Sequence, residues 1–474
     1  MARSRTLLAL ALTVLGAHAH ADEFHFETFR FGQRALGMGG AVTAYADEPE
    51  ASFYNPAGLA MLGGTRFSGT LNFFAFDHRT QKGGLRAGEF FAPEDLESSD
   101  FEPIPSSSVL TTTFGDGRHV LGLAAFLQSD SSEVFAGRRD ATLPTGDYDA
   151  SRTTVERRRQ DQILLRGLVY GYRVDPGLAL GASLLLASQD RTEIARRAEV
   201  LQRRATQDSV FVDASTREDS TTHSLLAQVG VLWRPSEAWS LGLSCRSPSL
   251  TLKGDADVVY TRVSSGNPDA GERPLLVDER THQDATTLLP PNCRAGLAWR
   301  IPDRLVITFD TSIHVPLAYD RYALTSQLAS RAAQLGEAVD AEPVLNAALG
   351  LEYRPAVRWP LRLGLFTNRT SAPAITPQPT ELGPADVDLY GATLSAGYLG
   401  DDRAINLGAE VQMGTGYDAI PADLTSLIQD RDFRRIDRSE WRVVFFVSGA
   451  VTFAKKQATE ILESWQSQDA PAGP

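Results

Sequence analysis

Nowhere do the 474 residues run apolar for the roughly 18 positions that a membrane-crossing helix needs. Mean hydropathy is below zero, so a helical membrane protein is excluded. Cysteine is scarce: Cys245 and Cys293 are too few for a disulfide framework. The eight histidines form no HxxxH or Cys/His grouping, so neither a metal nor a cofactor is expected. GxSxG, GxGxxG and P-loop motifs are absent, as is a Ser/His/Asp arrangement of known spacing, and no enzyme is expected. Basic residues are outnumbered, 46 against 59, for a net charge of −13, which argues against a nucleic-acid partner.

What the chain has is alternation. From Trp441 to Phe453 the odd positions read Trp441, Val443, Phe445, Val447, Gly449, Val451 and Phe453; the even ones include Arg442, Ser448 and Thr452. A period of two over this length describes a long strand with one face in oil and the other in a wetter place. Similar strands are expected near 64–77, 104–115, 118–130, 157–174, 177–194, 220–234, 238–256, 286–301, 304–321, 343–355, 359–369, 387–399, 403–415 and 439–453. Tight turns join some of them: Gly115-Asp-Gly117, Asp175-Pro-Gly177, Pro235-Ser-Glu237, Pro302-Asp303, Pro355–Arg358 and Gly400-Asp-Asp402. Longer polar stretches join the rest, at 78–103, 131–156, 195–219, 257–285, 322–342, 370–386 and 416–438. Short and long links alternate strictly, as in an all-β, fourteen-stranded antiparallel transmembrane barrel with short turns on one side. Such closure satisfies every backbone hydrogen bond within the hydrocarbon layer. Trp239, Trp299 and Trp359 sit beside short turns and Trp441 at the other edge, as interfacial girdles would.

The N-terminus carries Arg3 and Arg5, an apolar run from Leu7 to Gly16, and Ala19-His-Ala21, the pattern of a secretory signal peptide over 1–21. The barrel is expected over 63–453. A tail, 454–474, follows, with Ile461, Leu462 and Trp465 at helical spacing. Cys245 and Cys293 share a face of neighbouring strands; a disulfide and two separate thiols both remain open, since the strand stagger is unknown. Arg246, Arg294, Asp310, His314, Arg362, Glu410 and Arg442 fall on the wetter face, where charges are tolerated at membrane depth.

Residues 22–62 read differently. Gly32-Gln-Arg-Ala-Leu-Gly-Met-Gly-Gly40 precedes Ala51-Ser-Phe-Tyr-Asn-Pro-Ala-Gly-Leu-Ala60. The combined run, with the strand count and "LPPNCRAGLAWRIPDRLVITFDTS" (289–312), resembles the FadL family of outer-membrane transporters of hydrophobic compounds. The resemblance implies an N-terminal hatch over 22–62, gated at Asn55, Pro56, Ala57 and Gly58. It implies passive uptake of fatty acids, other lipids or hydrocarbons, with sideways exit by a kinked third strand, here His119–Ser129. Outer-membrane lipids and the barrel-assembly machinery, which reads a terminal aromatic such as Phe453, would be the partners. The ligand path would include Ser129, Arg191, Arg246, Arg294 and His314, with Arg191 as the counterpart of a carboxylate-binding residue. Where a second basic residue is expected, the chain reads Asp340-Ala-Glu-Pro343. The secretion-system shuttle proteins resembling PorV share a similar opening and provide an alternative role as a secretion or assembly partner.

Overall fold

The computed structural model describes residues 24–85, 93–143, 148–265, 273–322, 338–380, 383–421 and 433–453. The expected signal peptide and the C-terminal tail lie outside the described residues. Six strands open the barrel: β1 (Thr65–Leu85), β2 (Glu94–Phe114), β3 (His119–Thr142), β4 (Tyr148–Asp175), β5 (Leu178–Arg203) and β6 (Ser209–Trp233). Four staves are then built from eight segments. They are β7 (Trp239–Arg246) with β8 (Leu250–Ser264), and β9 (Leu275–Asp284) with β10 (Asn292–Ile301). The next two are β11 (Leu305–His314) with β12 (Leu317–Asp320), and β13 (Ala338–Ala341) with β14 (Val344–Ala356). Four more complete the wall: β15 (Trp359–Asn368), β16 (Asp386–Leu399), β17 (Arg403–Pro421) and β18 (Phe433–Phe453). The strands pair antiparallel, β12 and β13 only with each other, and β1 seals against β18 from Thr65↔Phe453 to Gln81↔Arg438. The eighteen segments thus make a closed barrel of fourteen staves.

The alternation read from the sequence sorts in space as expected. Trp441, Phe445 and Val451 point outward, whereas Arg442, Val444, Phe446 and Ser448 are buried in the lumen. The outward band continues through Leu361, Leu363 and Leu365 on β15 and Leu241 and Leu243 on β7. Trp233, Trp239 and Trp359 are exposed beside the short turns, and Trp239 pairs with Trp299. An apolar outside with a charged, buried inside reverses the order of a soluble protein and suits a hydrocarbon solvent.

Two expectations need correction. The long polar stretches are not mainly loops, because β1 through β6, β8 and β9 run through most of them. Above the apolar band the alternation of apolar residues ends, but the backbone ladder requires none. Outward charges pair along it instead, as in Arg138–Asp140–Arg152, Arg196–Asp213 and Arg217–Asp219. The second correction concerns the strands expected at 238–256, 286–301 and 304–321, which are interrupted at 247–249, 285–291 and 315–316. Pro248, Pro290, Pro291 and Pro316 lie in these breaks; a proline has no N–H to give the ladder.

Residues 24–62 lie inside the wall. They form a one-turn helix, Gln33–Gly37, and two 3-10 turns, Pro49–Phe53 and Pro56–Met61, and nearly every residue is buried. Space for them comes from glycines at mid-strand. Gly171, Gly181 and Gly230 pair in a row across β4, β5 and β6, Gly242 pairs with Gly296, and Gly350 pairs with Gly364. A Cβ on Gly181 would overlap the backbone of Pro56 and Ala57, one on Gly242 that of Thr43, and one on Gly364 that of Met38 and Gly39. Glycine is the residue that lets two backbones approach this closely.

Candidate functional site

The turn Asn55-Pro56-Ala57-Gly58 is built around one side chain. Asn55 Oδ1 accepts the Ala57 N–H at 3.1 Å, capping the 3-10 turn that Pro56 opens. Its Nδ2 donates to the carbonyls of Thr43 and Val231, both at 3.0 Å. One amide thereby ties the turn to the preceding loop and to β6. Gly58 lies so close to Ala46 that a side chain there would meet its carbonyl.

Glu48 and Glu50 sit behind this turn. Glu48 accepts the N–H groups of Gln33 and Arg34 at 3.0 and 3.1 Å, at the start of the helix. The neighbouring Glu50 is fully buried and takes a hydrogen bond from Ser68 of β1. Burial, and then the adjacent Glu48, push its carboxyl up to about 8. Charged contacts also fix the segment to the wall: Arg30–Glu410 at 2.9 Å, Arg34–Glu352 at 3.4 Å and Glu27–Arg294 at 2.7 Å. Thr43 N–H reaches Asp310 at 2.8 Å, and Asn406 reaches the Gln33 carbonyl at 3.1 Å.

The wall itself is incomplete between β2 and β3. Their pairing begins at Phe114↔His119 and stops at Ser107↔Phe126. Yet β2 stays paired with β1 as far as Leu96, and β3 with β4 as far as Thr142. Two sequence features account for the seam. Pro103 and Pro105 remove donors of the same parity from β2. Gln128 is the extra residue of a bulge in β3, between Leu127↔Leu164 and Ser129↔Ile163. Above the seam the two strands meet again, where Val134 N–H donates to Ser98 Oγ at 3.0 Å and Leu96 packs with Phe135. The upper half of β3 is also held from across the lumen. Arg79 donates to the Ser132 carbonyl at 2.7 Å, and Arg438 pairs with Glu133. The result is a window bounded below by the Ser107–Phe126 pair and above by the Ser98–Val134 contact. Phe126 borders it from inside with Phe53, their rings 5.3 Å apart, and Phe31 joins them.

A second space lies higher in the lumen. Phe24, Phe26, Ile163, Leu289, Leu317 and Val339 contribute to the lining of a small cavity of about 20 Å³. Phe26 stacks on His314 with ring centroids 4.6 Å apart. On β13 the lining comes from Val339 and Ala341, whereas Asp340 and Glu342 are exposed, so the acidic run noted in the sequence does not face this space.

Of the other sequence-nominated residues, Ser129, Arg191, Arg246, Arg294 and His314 are all buried, with different surroundings. Arg191 is ringed by carboxylates: Glu193 at 2.6 Å, Glu218 at 3.4 Å and Asp161 at 3.9 Å. Arg294 pairs with Glu27, and His314 contacts Asn292 at 3.0 Å. Ser129 lies just past the bulge. Arg246 donates to Gln128 Oε1 at 3.2 Å and lies 4.8 Å from the Phe53 ring centroid. Cys245 and Cys293 stand directly opposite on β7 and β10 and form a disulfide, so neither is a separate thiol.

No family model and no curated protein matches the sequence. Solved structures do. A Pseudomonas aeruginosa FadL homologue matches with a TM-score of 0.60, over 91% of this chain and 100% of its own, at 15% identity. The chain has the fold of the FadL channels. The Ralstonia pickettii toluene transporter TbuX matches with a TM-score of 0.54 over 91% of this chain and 100% of its own, at 14% identity. The P. putida toluene transporter TodX does so with 0.54 over 90% and 99%, at 14%. What these FadL-type barrels share with this one, at such identities, is the architecture. Inside that architecture, sequence reading missed Glu27, Glu48, Glu50 and the glycine rows. The glycines carried a usable signal, since a glycine at mid-strand marks a close backbone approach.

Proposed function

We propose that this chain is a non-enzymatic outer-membrane channel for the passive uptake of hydrophobic compounds. Residues 24–62 serve as its hatch, the turn at Asn55–Gly58 as a gating element, and the β2–β3 window as the exit. The observation that carries the reading is the window: a break in the hydrogen-bonded pairing of two neighbouring staves, bordered inside by aromatic rings. A greasy molecule that leaves through the wall enters the hydrocarbon layer directly and never has to cross water. The neighbouring structures described as toluene transporters make small aromatic hydrocarbons one candidate cargo. Lipids with long chains are the other. An export signal over 1–21 and outer-membrane assembly through the aromatic end of β18 belong to the same reading.

The test removes the window while leaving the barrel. Deleting Gln128 takes out the one extra residue of the β3 bulge, so that β3 can run straight beside β2. Uptake of labelled toluene and labelled palmitate by cells dependent on this chain is expected to fall to the level of cells without it. Heat-modifiable mobility of the barrel is expected to persist. Undiminished uptake of both compounds by a folded deletion variant would rule out the window as the exit.

A further inference from the structure

The outward face of β4 carries a charge where the apolar band calls for none. Its outward positions read Tyr170, Leu168, Arg166 and Leu164, and both Leu168 and Arg166 are exposed. Arg166 stands opposite Ala125 of β3 and Leu186 of β5. At the usual rise and tilt of barrel strands it lies roughly 23 Å from the short-turn end of β4, near the far limit of an apolar band about 25 Å tall. Short turns face the periplasm in such barrels, so this edge meets the outer leaflet.

The neighbours at that level are polar as well. Ser188 Oγ accepts from Arg166 Nη2 at 2.9 Å and lies 3.0 Å from His223 Nδ1. Ser188, His223 and Lys253 are successive register partners on β5, β6 and β8. Three basic side chains thus gather around one buried hydroxyl, across four neighbouring strands. Two carboxylates lie on the same strands: Asp190 accepts the Thr221 hydroxyl at 2.8 Å, and Asp255 pairs with Lys253 at 3.2 Å. Arg166 pairs with neither, and its hydrogen bond is to Ser188. Outward arginines higher on the wall do have counter-charges, as Arg152 has Asp140 at 2.6 Å and Arg196 has Asp213 at 2.7 Å. A cation on the lipid face is costly in hydrocarbon and is tolerated where its long side chain reaches the head-group layer.

We propose that Arg166, Ser188, His223 and Lys253 form a site on the outer surface of the wall for the phosphate of a phosphorylated glycolipid of the outer leaflet. Ser188 holds the guanidinium in place, and its planar fork engages two phosphate oxygens, while Lys253 adds a point charge. The acyl chains lie down the apolar face over Leu168, Leu184 and Val229, all exposed. Ala125, opposite Arg166, precedes Phe126 at the lower border of the window, so the bound lipid stands beside the exit. The site does not depend on what the channel carries.

The test is native mass spectrometry of the purified full chain in detergent, with bisphosphorylated lipid A and the same lipid stripped of its phosphates as probes. Wild type is expected to bind lipid A about tenfold or more tightly than the stripped lipid, the worth of a charge-assisted contact. Arg166→Leu continues the apolar face between Leu164 and Leu168 and is expected to fold as well as wild type while losing that preference. The double variant His223→Gln with Lys253→Gln is expected to lose part of it, and keeps the test open if Arg166→Leu fails to fold. Arg217→Gln, at a paired arginine higher on β6, is expected to change nothing. Equal binding of the two lipids by wild type, or no binding of lipid A, overturns the site. So does a full preference that survives in Arg166→Leu or in the double variant.

Discussion

Asn55 Nδ2 and the Val231 carbonyl are 3.0 Å apart, and through this contact the turn at Asn55 is fastened to the C-terminal end of β6. The same amide nitrogen holds Thr43, so two hydrogens of one side chain join three parts of the chain. Asn55→Ala is expected to cost about 1 kcal/mol for the lost cap and roughly 1–3 kcal/mol for each carbonyl left dry. Asn55→Asp is expected to be worse, since a carboxylate would face two carbonyls. Pro56→Ala, which keeps the cap, is the milder change. Uptake measurements should rank the three in that order with barrel mobility unchanged; full uptake in Asn55→Asp would remove the turn's gating role.

Glu50 makes the hatch sensitive to alkali. Its carboxyl is pushed from the ordinary 4.5 to about 8, by burial and then by Glu48. Between those values the folded hatch holds a proton that the unfolded segment has released. Stability is therefore greatest at or below about pH 4.5 and declines as pH rises towards about 8. Glu50→Gln is expected to reduce the decline, leaving the part that the buried Glu48 contributes. Hydrogen exchange across residues 30–62, followed from pH 4.5 to 8, will show protection that falls more steeply in wild type than in the variant; equal profiles in both would contradict the assignment.

Arg438 holds the upper half of β3 through Glu133 while also meeting Asp418 at 2.9 Å and Glu440 at 2.6 Å. Arg438→Met removes the cation that three lumen carboxylates share, leaving Glu440 with Arg79 at 3.6 Å and Asp418 with Arg157 at 3.8 Å. The expected loss is about 3–5 kcal/mol, the usual result of breaking a buried ion pair, seen as a lower unfolding temperature. Loss of palmitate or toluene uptake should accompany it if the position of β3 shapes the window.

Gly364 lies against the backbone of Met38 and Gly39, whereas Gly449 has only the Ala404 carbonyl within 4 Å, at 3.6 Å from a built Cβ. Gly364→Val is expected to push the hatch out of place and raise the leak of small polar solutes through the barrel. Gly449→Ala should leave the leak at the wild-type level. Conductance in planar bilayers compares the two; equal leaks would show that the glycine rows do not seat the hatch.

The barrel was readable because oil imposes a rule on sequence: residues such as Leu361, Leu363 and Leu365 had to alternate with the polar or small ones between them. Above the apolar band that rule lapses, and β3 to β6 continue as strands on backbone pairing and charge pairs that leave no hydrophobic period. The turn around Asn55 stood out by its composition, yet its tie to β6 depends on a contact 176 residues away in the chain. Arg191 and Arg246 looked alike as inward arginines. Only their neighbours distinguish them, since Glu193 and Glu218 are absent from one and surround the other. Pro103, Pro105 and Gln128 each have a local meaning, but their juxtaposition at one seam required the register.

The pairing of β1 with β18 has a consequence for biogenesis. The hatch is joined to the first strand, and the wall closes only when the last strand, far downstream, arrives at Thr65↔Phe453. A finished cylinder offers no wide entrance for some forty residues with three helical turns. Residues 24–62 are therefore expected to enter an open sheet and to be enclosed at closure, so that a variant in this segment is expected to fail as a precursor before it fails as a channel.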